Sequence, residues 1–132
     1  MSVTFPASLA DLLTREKKAF AHLALVLRDG TPHVTPVWFD WDGTHLIINT
    51  ARGRVKDRVL NRRPTVALAI SDPADPYRYL QIRGQVVDST EAGARDMIDQ
   101  LSLKYEGRLY PWYRGETRVT YKILPERVQP AA

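Results

Sequence analysis

Residues 49–64 read NTARGRVKDRVLNRRP and mark the end of an apolar strand, a short loop and a helix. The helix is predicted to end at or before Arg63, because Pro64 disfavours helical backbone angles in the residue before it. Six of residues 52–63 are basic and only Asp57 is acidic, so this segment carries a charge of +5 in a chain whose net charge is +4. The positive charge is therefore concentrated at one strand-to-helix junction.

A basic strand-to-helix junction is a favourable place for an anion. The first turn of a helix has unpaired backbone N–H groups and the positive end of the helix dipole, and both attract negative charge. A protein that binds a polyanion or a membrane usually spreads its basic residues over a face instead. The sequence therefore predicts a site for a small anionic ligand, phosphate first, although charge alone leaves open a solvated basic helix face.

Composition narrows the class of protein. A chain of 132 residues that is 44% hydrophobic is predicted to form one domain, residues 1–132. The absence of cysteine excludes disulfides, zinc–thiolate sites and thiol nucleophiles, and favours a cytoplasmic location. No apolar run has the length of a signal peptide or a membrane span. Aromatic residues are not interleaved with the basic segment as a stacking platform would require, so no nucleic-acid partner is expected.

The first half of the chain is predicted to contain a short helix and three strands. Ser8 and Asp11 have the spacing of a capping box, which predicts a helix from Ser8 to about Lys17. Two Asp-Gly pairs are strong hairpin signals, and Pro36 between them predicts an edge strand or a bulge. The strands cover residues 22–28, 32–41 and 44–50, with turns at 29–30 and 42–43, and we expect an antiparallel meander that leads into the basic junction.

The second half adds three strands and a longer helix. Gly84 interrupts an alternating strand and predicts a bulge or a tight bend. Thr90 is predicted to cap a helix whose apolar residues recur with a period of 3.6, and Gly107 is its predicted C-cap. The strands cover residues 65–71, 77–89 and 118–128, and residues 109–114 form an aromatic loop.

These elements predict an α+β fold in which six antiparallel strands close into a small barrel flanked by helices. Closure would also remove the exposed edges of the sheet. Two strands, residues 23–27 and 66–70, are apolar along nearly their whole length, which predicts burial on both faces. A chain of this size cannot cover every strand on both sides, so we expect a homodimer that packs barrel against barrel.

The sequence has no constellation of catalytic side chains. His22, His33 and His45 fall one per strand without a second ligand at metal-binding spacing, so no metal site is predicted. Nucleophile-elbow, P-loop and dinucleotide-binding motifs do not occur in the sequence. Their absence argues against a serine hydrolase, a Walker-type NTPase and a Rossmann dehydrogenase. If the protein is an enzyme, a bound cofactor carries the chemistry and the chain supplies binding and orientation.

Three segments together resemble a known family. They read TPHVTPVWFDWDGTHLIINT at 31–50, RGRVKDRVLNRRPTVALAI at 52–70 and YLQIRGQV at 79–86. The chain resembles the split β-barrel flavin and deazaflavin proteins, the pyridoxamine 5'-phosphate oxidase-like superfamily, and most closely its F420-dependent branch. The resemblance implies an FMN-binding split-barrel-like fold and a homodimer with two cofactor sites at the subunit interface.

The resemblance also implies which residues contact the cofactor. One strand presents its backbone to a tricyclic ring, and the end of the next strand, with the basic residues after it, holds a phosphate. The aromatic loop would wall or cover the pocket, and a tyrosine would come from the facing subunit. The implied residues are Pro36, Val37, Trp38, Phe39, Asn49, Thr50, Ala51, Arg54, Lys56, Tyr79 and Trp112.

The implied activity is hydride transfer between reduced coenzyme F420, a deazaflavin, and a small conjugated substrate. Such a transfer needs a short donor–acceptor distance and excluded water more than it needs an acid or a base. FMN also presents a phosphate and a tricycle and is the alternative cofactor, but the longer anionic tail of F420 accounts better for six local basic residues. A non-catalytic carrier of flavin, F420 or haem is the competing interpretation.

Overall fold

The structure, a computed structural model, describes residues 3–130 and contains a seven-stranded antiparallel sheet. The order of the strands across the sheet is β2-β1-β5-β6-β7-β4-β3. A 3₁₀ helix, Ala7–Leu13, precedes the sheet. The strands are β1 Ala21–Val26, β2 Pro32–Val37, β3 Asp40–Trp41, β4 Leu46–Ala51, β5 Thr65–Asp72, β6 Asp75–Thr90 and β7 Arg118–Pro130, and the helices are α1 Val55–Leu60 and α2 Ala94–Glu106.

The sheet curls around a core made from alternate residues of its strands. In β5 the burial alternates from Val66 onward, and Leu23, Ile70 and Tyr121 are fully covered. On the outer side, α2 packs against β4 and β7, which explains why three successive residues of β4 are buried. The predicted α+β split barrel is confirmed. Within residues 3–130, no helix is long and apolar enough to cross a bilayer.

The predicted strand over residues 32–41 is wrong, because it is two strands at opposite edges of the sheet. β2 ends at Val37, and β3 begins at Asp40 and pairs with β4. Between them, the ring of Phe39 is fully buried, and its backbone N–H and oxygen bond to side chains of α2, Tyr105 and Lys104, instead of to a neighbouring strand. The six predicted strands become seven, and the expected three-stranded meander does not form.

The sheet keeps two edges instead of closing by hydrogen bonds, contrary to the expectation from sequence. β2 pairs only with β1, and β3 only with β4, among the residues that the structure describes. The Leu27 N–H donates to Thr31 O at 2.9 Å, which sets the alternation of paired positions along β1 and β2. Pro32, Val34 and Pro36 then fall where backbone groups point away from β1. Both prolines therefore cost the β1–β2 ladder no hydrogen bond, and Pro36 lies on an edge strand as predicted.

The pairing of the long strands β6 and β7 is irregular at the predicted position. Their register shifts between Arg83 and Gly84, so the predicted bulge is confirmed. A Cβ atom on Gly84 would lie 2.5 Å from the backbone oxygen of Leu124. A side chain at this position is incompatible with the distance between the two strands.

Two helix starts differ from the predictions. The predicted capping box does not form, because the Asp11 carboxylate is bound by Arg78 at 2.9 Å and by Lys17 at 3.4 Å, and the first helix is a 3₁₀ helix that ends at Leu13. The helix α2 begins after Gly93 and has no side-chain cap. The hydroxyl of Thr90, its predicted cap, accepts the N–H of Ala92 in the preceding turn instead. The predicted C-cap Gly107 is confirmed, with φ of 74°.

Candidate functional site

The basic junction between β4 and α1 is a tight turn. The Arg54 N–H donates to the oxygen of Ala51 at 3.2 Å, and Gly53 takes φ of 88°, a conformation that favours glycine. Arg54 is the N-cap residue of α1. The turn therefore fixes the start of the helix directly after the buried end of β4.

A buried carboxylate holds this turn in place. Asp57 accepts hydrogen bonds from the Gly53 N–H and Arg52 Nη1, both at 2.9 Å, from the Tyr121 hydroxyl at 2.5 Å and from Asn61 Nδ2 at 3.1 Å. Burial alone acts to raise the pKa of Asp57, but the bonds from Tyr121, Gly53 and Arg52 outweigh it and lower the pKa. The charges of Asp57 and Arg52 are thus used in an ion pair that stabilises the turn, and they are not available to a ligand.

Arg54 and Lys56, at the start of α1, are not committed to such an ion pair among the described residues. In the described range 3–130, neither has a carboxylate within 4.0 Å, whereas Arg52 pairs with both Asp57 and Glu91. Burial, followed by the charge of Arg54, lowers the pKa of Lys56. Two cations two positions apart at the start of α1, one of them partly desolvated, form a donor set that suits a phosphate.

The end of β4, directly before the basic junction, is hydrogen-bonded to α2 and β7. Asn49 Nδ2 donates to the oxygen of Ala94 at 2.9 Å and to the Thr120 hydroxyl at 3.1 Å, and Asn49 Oδ1 accepts from Arg118 Nε at 2.9 Å. Its amide therefore joins β4 to α2 and β7. Thr50 is buried, and its predicted contact with a cofactor, like that of Asn49, stays a prediction.

Sequence reasoning missed Arg118, which links the junction to the aromatic loop. Its side chain is buried, pairs with Glu116 at 3.1 Å, and places its guanidinium 5.3 Å from the ring centre of Tyr110. It also holds Asn49, as described above. An arginine at the first position of a strand carries no pattern that would single it out, because its partners are distant in sequence.

The segment between β2 and β3 is bound by the end of α2. Lys104 Nζ donates to the oxygen of Phe39 at 2.6 Å, and the Phe39 N–H donates to the Tyr105 hydroxyl at 3.2 Å. Both backbone groups of Phe39 are therefore used within the chain, and its ring is in the core. Of the four residues predicted to face the cofactor ring, Pro36, Val37 and Trp38 remain near the surface.

An aromatic cluster continues from this segment to the aromatic loop. The rings of Trp38 and Tyr105 stack with centroids 5.4 Å apart, and Trp38 meets Tyr110 edge-on at 6.4 Å. Tyr110 in turn meets Trp112 at 5.5 Å, and its N–H donates to Asp99 Oδ1 at 3.0 Å. The structure thus brings together Trp38 and Trp112, and anchors the loop to α2.

Tyr79 lies apart from the aromatic cluster. It is on β6, opposite Ser71 of β5, and is half-buried. Ser71 belongs to a shallow hollow of about 330 Å³ whose lining also includes Phe20 and Pro36. A role for Tyr79 at the site of a facing subunit stays a prediction.

Comparison with known proteins identifies the family. The profile described as pyridoxamine 5'-phosphate oxidase matches residues 7–130. A solved F420 reductase is 35% identical, with a TM-score of 0.85 over 95% of this chain and 98% of that chain. No curated protein matches the sequence.

More distant structures share the fold alone. A conserved hypothetical protein from Mycobacterium tuberculosis is 21% identical, with a TM-score of 0.73 over 98% of this chain and 86% of that chain. The General Stress Protein 26 from Bacillus anthracis is 18% identical, with a TM-score of 0.67 over 92% of each chain. With the family profile and the 35% identical structure, these findings confirm the resemblance seen in the sequence. The chain belongs to the pyridoxamine 5'-phosphate oxidase family of split β-barrel proteins.

Proposed function

We propose that this protein is an F420-dependent oxidoreductase that transfers a hydride between the reduced deazaflavin and a small conjugated substrate. The observation that carries the proposal is the pair of cations at the junction, Arg54 and Lys56, which have no carboxylate partner among residues 3–130. The 35% identity to a protein named as an F420 reductase supports the deazaflavin as the cofactor.

Each part of the candidate site has a role in this proposal. When bound, the deazaflavin supplies the hydride at carbon 5 of its ring. Arg54 and Lys56 hold the phosphate, with the Asp57 network keeping the turn rigid. The segment at Val37 and Trp38 orients the ring, and the aromatic cluster excludes water from one side. None of these residues donates or removes a proton.

The proposed active form is a homodimer with the cofactor at the subunit interface. The support is an uncovered outer face on the half of the sheet that α2 does not reach. There the residues of β1 and β5 that point outward include Ala24, Ala67 and Ala69, and Val34 of β2 is 63% exposed. A second copy of the chain on this face would cover apolar surface and supply the second wall of the site.

FMN is the second candidate cofactor, since the family profile is that of an oxidase of pyridoxamine 5'-phosphate and FMN has the same combination of phosphate and tricycle. A carrier without catalysis is the remaining alternative. It predicts tight cofactor binding without turnover of any conjugated acceptor.

The proposal is tested by titrating the purified protein with F420 and with FMN while following the fluorescence of each cofactor. We expect micromolar binding of F420 and much weaker binding of FMN. The double variant Arg54→Ala and Lys56→Ala should lose about 3 kcal/mol of binding free energy or more, about 100-fold in Kd, because each charge-assisted contact to phosphate contributes about 1.5–3 kcal/mol.

A matched control removes the same two residue types from elsewhere in the chain. Arg127 is exposed and Lys122 is half-buried on β7, as Arg54 and Lys56 are at the junction. Arg127→Ala with Lys122→Ala should bind F420 as the unmodified protein does. Equal affinity in the junction variant and the control, with both folded by circular dichroism, would refute the phosphate site.

A further inference from the structure

The last turn of α2 binds a segment that is remote from it in the sequence. Lys104 Nζ donates to the oxygen of Phe39 at 2.6 Å, and the Tyr105 hydroxyl accepts the N–H of Phe39 at 3.2 Å. Phe39 directly follows Trp38, one of the two residues proposed to orient the ring of the cofactor. The two side chains therefore fix both backbone groups of the residue next to that segment.

Tyr105 also fixes the ring of Trp38. Its own ring lies between those of Phe20 and Trp38, with centroid distances of 5.0 Å and 5.4 Å and interplanar angles of 28° and 10°. Its hydroxyl donates to the oxygen of Ala19 at 2.6 Å. Burial raises the pKa of Tyr105, so the hydroxyl stays neutral and can donate and accept at the same time. One side chain thus sets both the plane of the Trp38 ring and the position of the backbone after it.

The stability of the fold does not account for Lys104. The residue is 4% exposed, and no carboxylate lies within 4.0 Å of its ammonium group anywhere in residues 3–130. The carboxylate of Asp40, which follows Phe39, is bound by Arg15 at 2.6 Å. Burial of an ammonium group without a counter-charge costs free energy, and an apolar side chain of similar size is often as stable or more stable. A residue that costs stability and bonds to one functional segment indicates a role in that segment.

We propose that Lys104 and Tyr105 are positioning residues for the cofactor ring, because they hold the segment at Val37 and Trp38 in the orientation that binds it. The inference rests on the proposed function, since it takes this segment as part of the cofactor site. It goes further in assigning the orientation of the ring to two residues of α2. Neither residue transfers a proton or a hydride.

The test compares Lys104→Met and Tyr105→Phe with the unmodified protein. Lys104→Met keeps a long side chain without a donor, and Tyr105→Phe keeps the stacked ring without the hydroxyl. Each protein is titrated with F420, and the circular dichroism of the bound deazaflavin is recorded in its visible absorption band at saturation. The amplitude of this signal depends on how rigidly the surroundings of the ring hold it in one orientation.

We expect each variant to reduce the amplitude by about half or more and to weaken F420 binding by about fivefold, because the segment must then be ordered when the cofactor binds. In urea denaturation at pH 7 without cofactor, Lys104→Met should be at least as stable as the unmodified protein. A purely structural role predicts the opposite combination, in which stability falls and the ring of the bound cofactor keeps its orientation.

Matched controls change the same residue types away from the segment. Lys122 is half-buried on β7, and Tyr77 is exposed near the start of β6. Lys122→Met and Tyr77→Phe should both keep the affinity for F420 and the amplitude of the visible signal.

The outcomes separate the inference from the proposed function. If the unmodified protein binds F420 and both variants keep its affinity and its visible signal, the inference is overturned and the proposed function stands. A Lys104→Met variant that is less stable and binds the ring normally would also overturn it, because the lysine would then serve the fold. Failure of the unmodified protein to bind F420 would overturn the proposed function, and the inference with it.

Discussion

Lys104 has an unusual position for a lysine, because its side chain is almost fully buried. Its ammonium group donates to the oxygen of Phe39 at 2.6 Å and lies 4.1 Å from the centre of the Phe39 ring. Burial lowers the pKa of Lys104 from 10.5 to about 8. The segment between β2 and β3 is thus held by a group whose charge is disfavoured in the folded state.

This shift predicts how stability depends on pH. Below about pH 8 the lysine is protonated in both folded and unfolded chains, and burial of its charge destabilises the fold. Between about pH 8 and 10 the unfolded chain holds more protons, so the free energy of unfolding rises with pH, by about 2–3 kcal/mol from this group. Chemical denaturation across pH 7.5–10 should show this rise in the unmodified protein and not in Lys104→Met. A parallel pH dependence in the two proteins would contradict the assignment.

Individual residues show which contacts of the candidate site the sequence does not predict. The basic residues of the junction are visible in the sequence, but it does not distinguish Arg52, which is tied to Asp57, from Arg54, which has no carboxylate partner among residues 3–130. Asp57 meets Tyr121 from 64 positions away, and Lys104 meets Phe39 from 65. Such contacts depend on the tertiary fold, and no local pattern encodes them.

At the scale of elements, the sequence predicts correctly those turns, bulges and helix ends whose conformation depends on adjacent residues. Both Asp-Gly hairpins, the bulge at Gly84 and the end of α1 before Pro64 are present in the structure. The break between β2 and β3 escaped prediction because Trp38 and Phe39 continue the alternation of a strand. Their packing against α2 decides the break, and α2 lies far along the chain.

The bulge at Gly84 makes a specific prediction about stability. Gly84→Ala would place a methyl group 2.5 Å from the oxygen of Leu124, and the strands β6 and β7 must separate to accept it. We expect a loss of about 1–3 kcal/mol in the free energy of unfolding, measured by urea denaturation. Gln85→Ala, at the next and exposed position of β6, should change it by less than about 0.5 kcal/mol. A neutral Gly84→Ala variant would show that the strands separate without cost.

At the scale of the whole molecule, the proposed homodimer depends on the outer face of β1 and β5. Ala69→Arg would place a charged side chain at the centre of that face, where a second copy is expected to pack. Light scattering after gel filtration should give about twice 15.0 kDa for the unmodified protein and 15.0 kDa for the variant. F420 affinity should fall in the same variant, because in the proposed homodimer the facing subunit would complete the site. Thr44→Arg, in an exposed turn, is the matched control and should remain dimeric.

A monomeric mass for the unmodified protein at micromolar concentration would overturn the proposed dimer. A dimeric Ala69→Arg variant would instead move the interface to another surface. In either case the split-barrel fold, which rests on the observed sheet and the family comparison, would be unaffected.

The two prolines of the edge strand β2 affect how readily the protein can aggregate. Of the three residues whose backbone points outward there, Pro32, Val34 and Pro36, only Val34 has an N–H to offer an incoming strand. A partly unfolded chain that tries to extend the sheet, as in the growth of an amyloid fibril, finds two donors out of three missing. The β2 edge therefore resists templated aggregation by the addition of further strands.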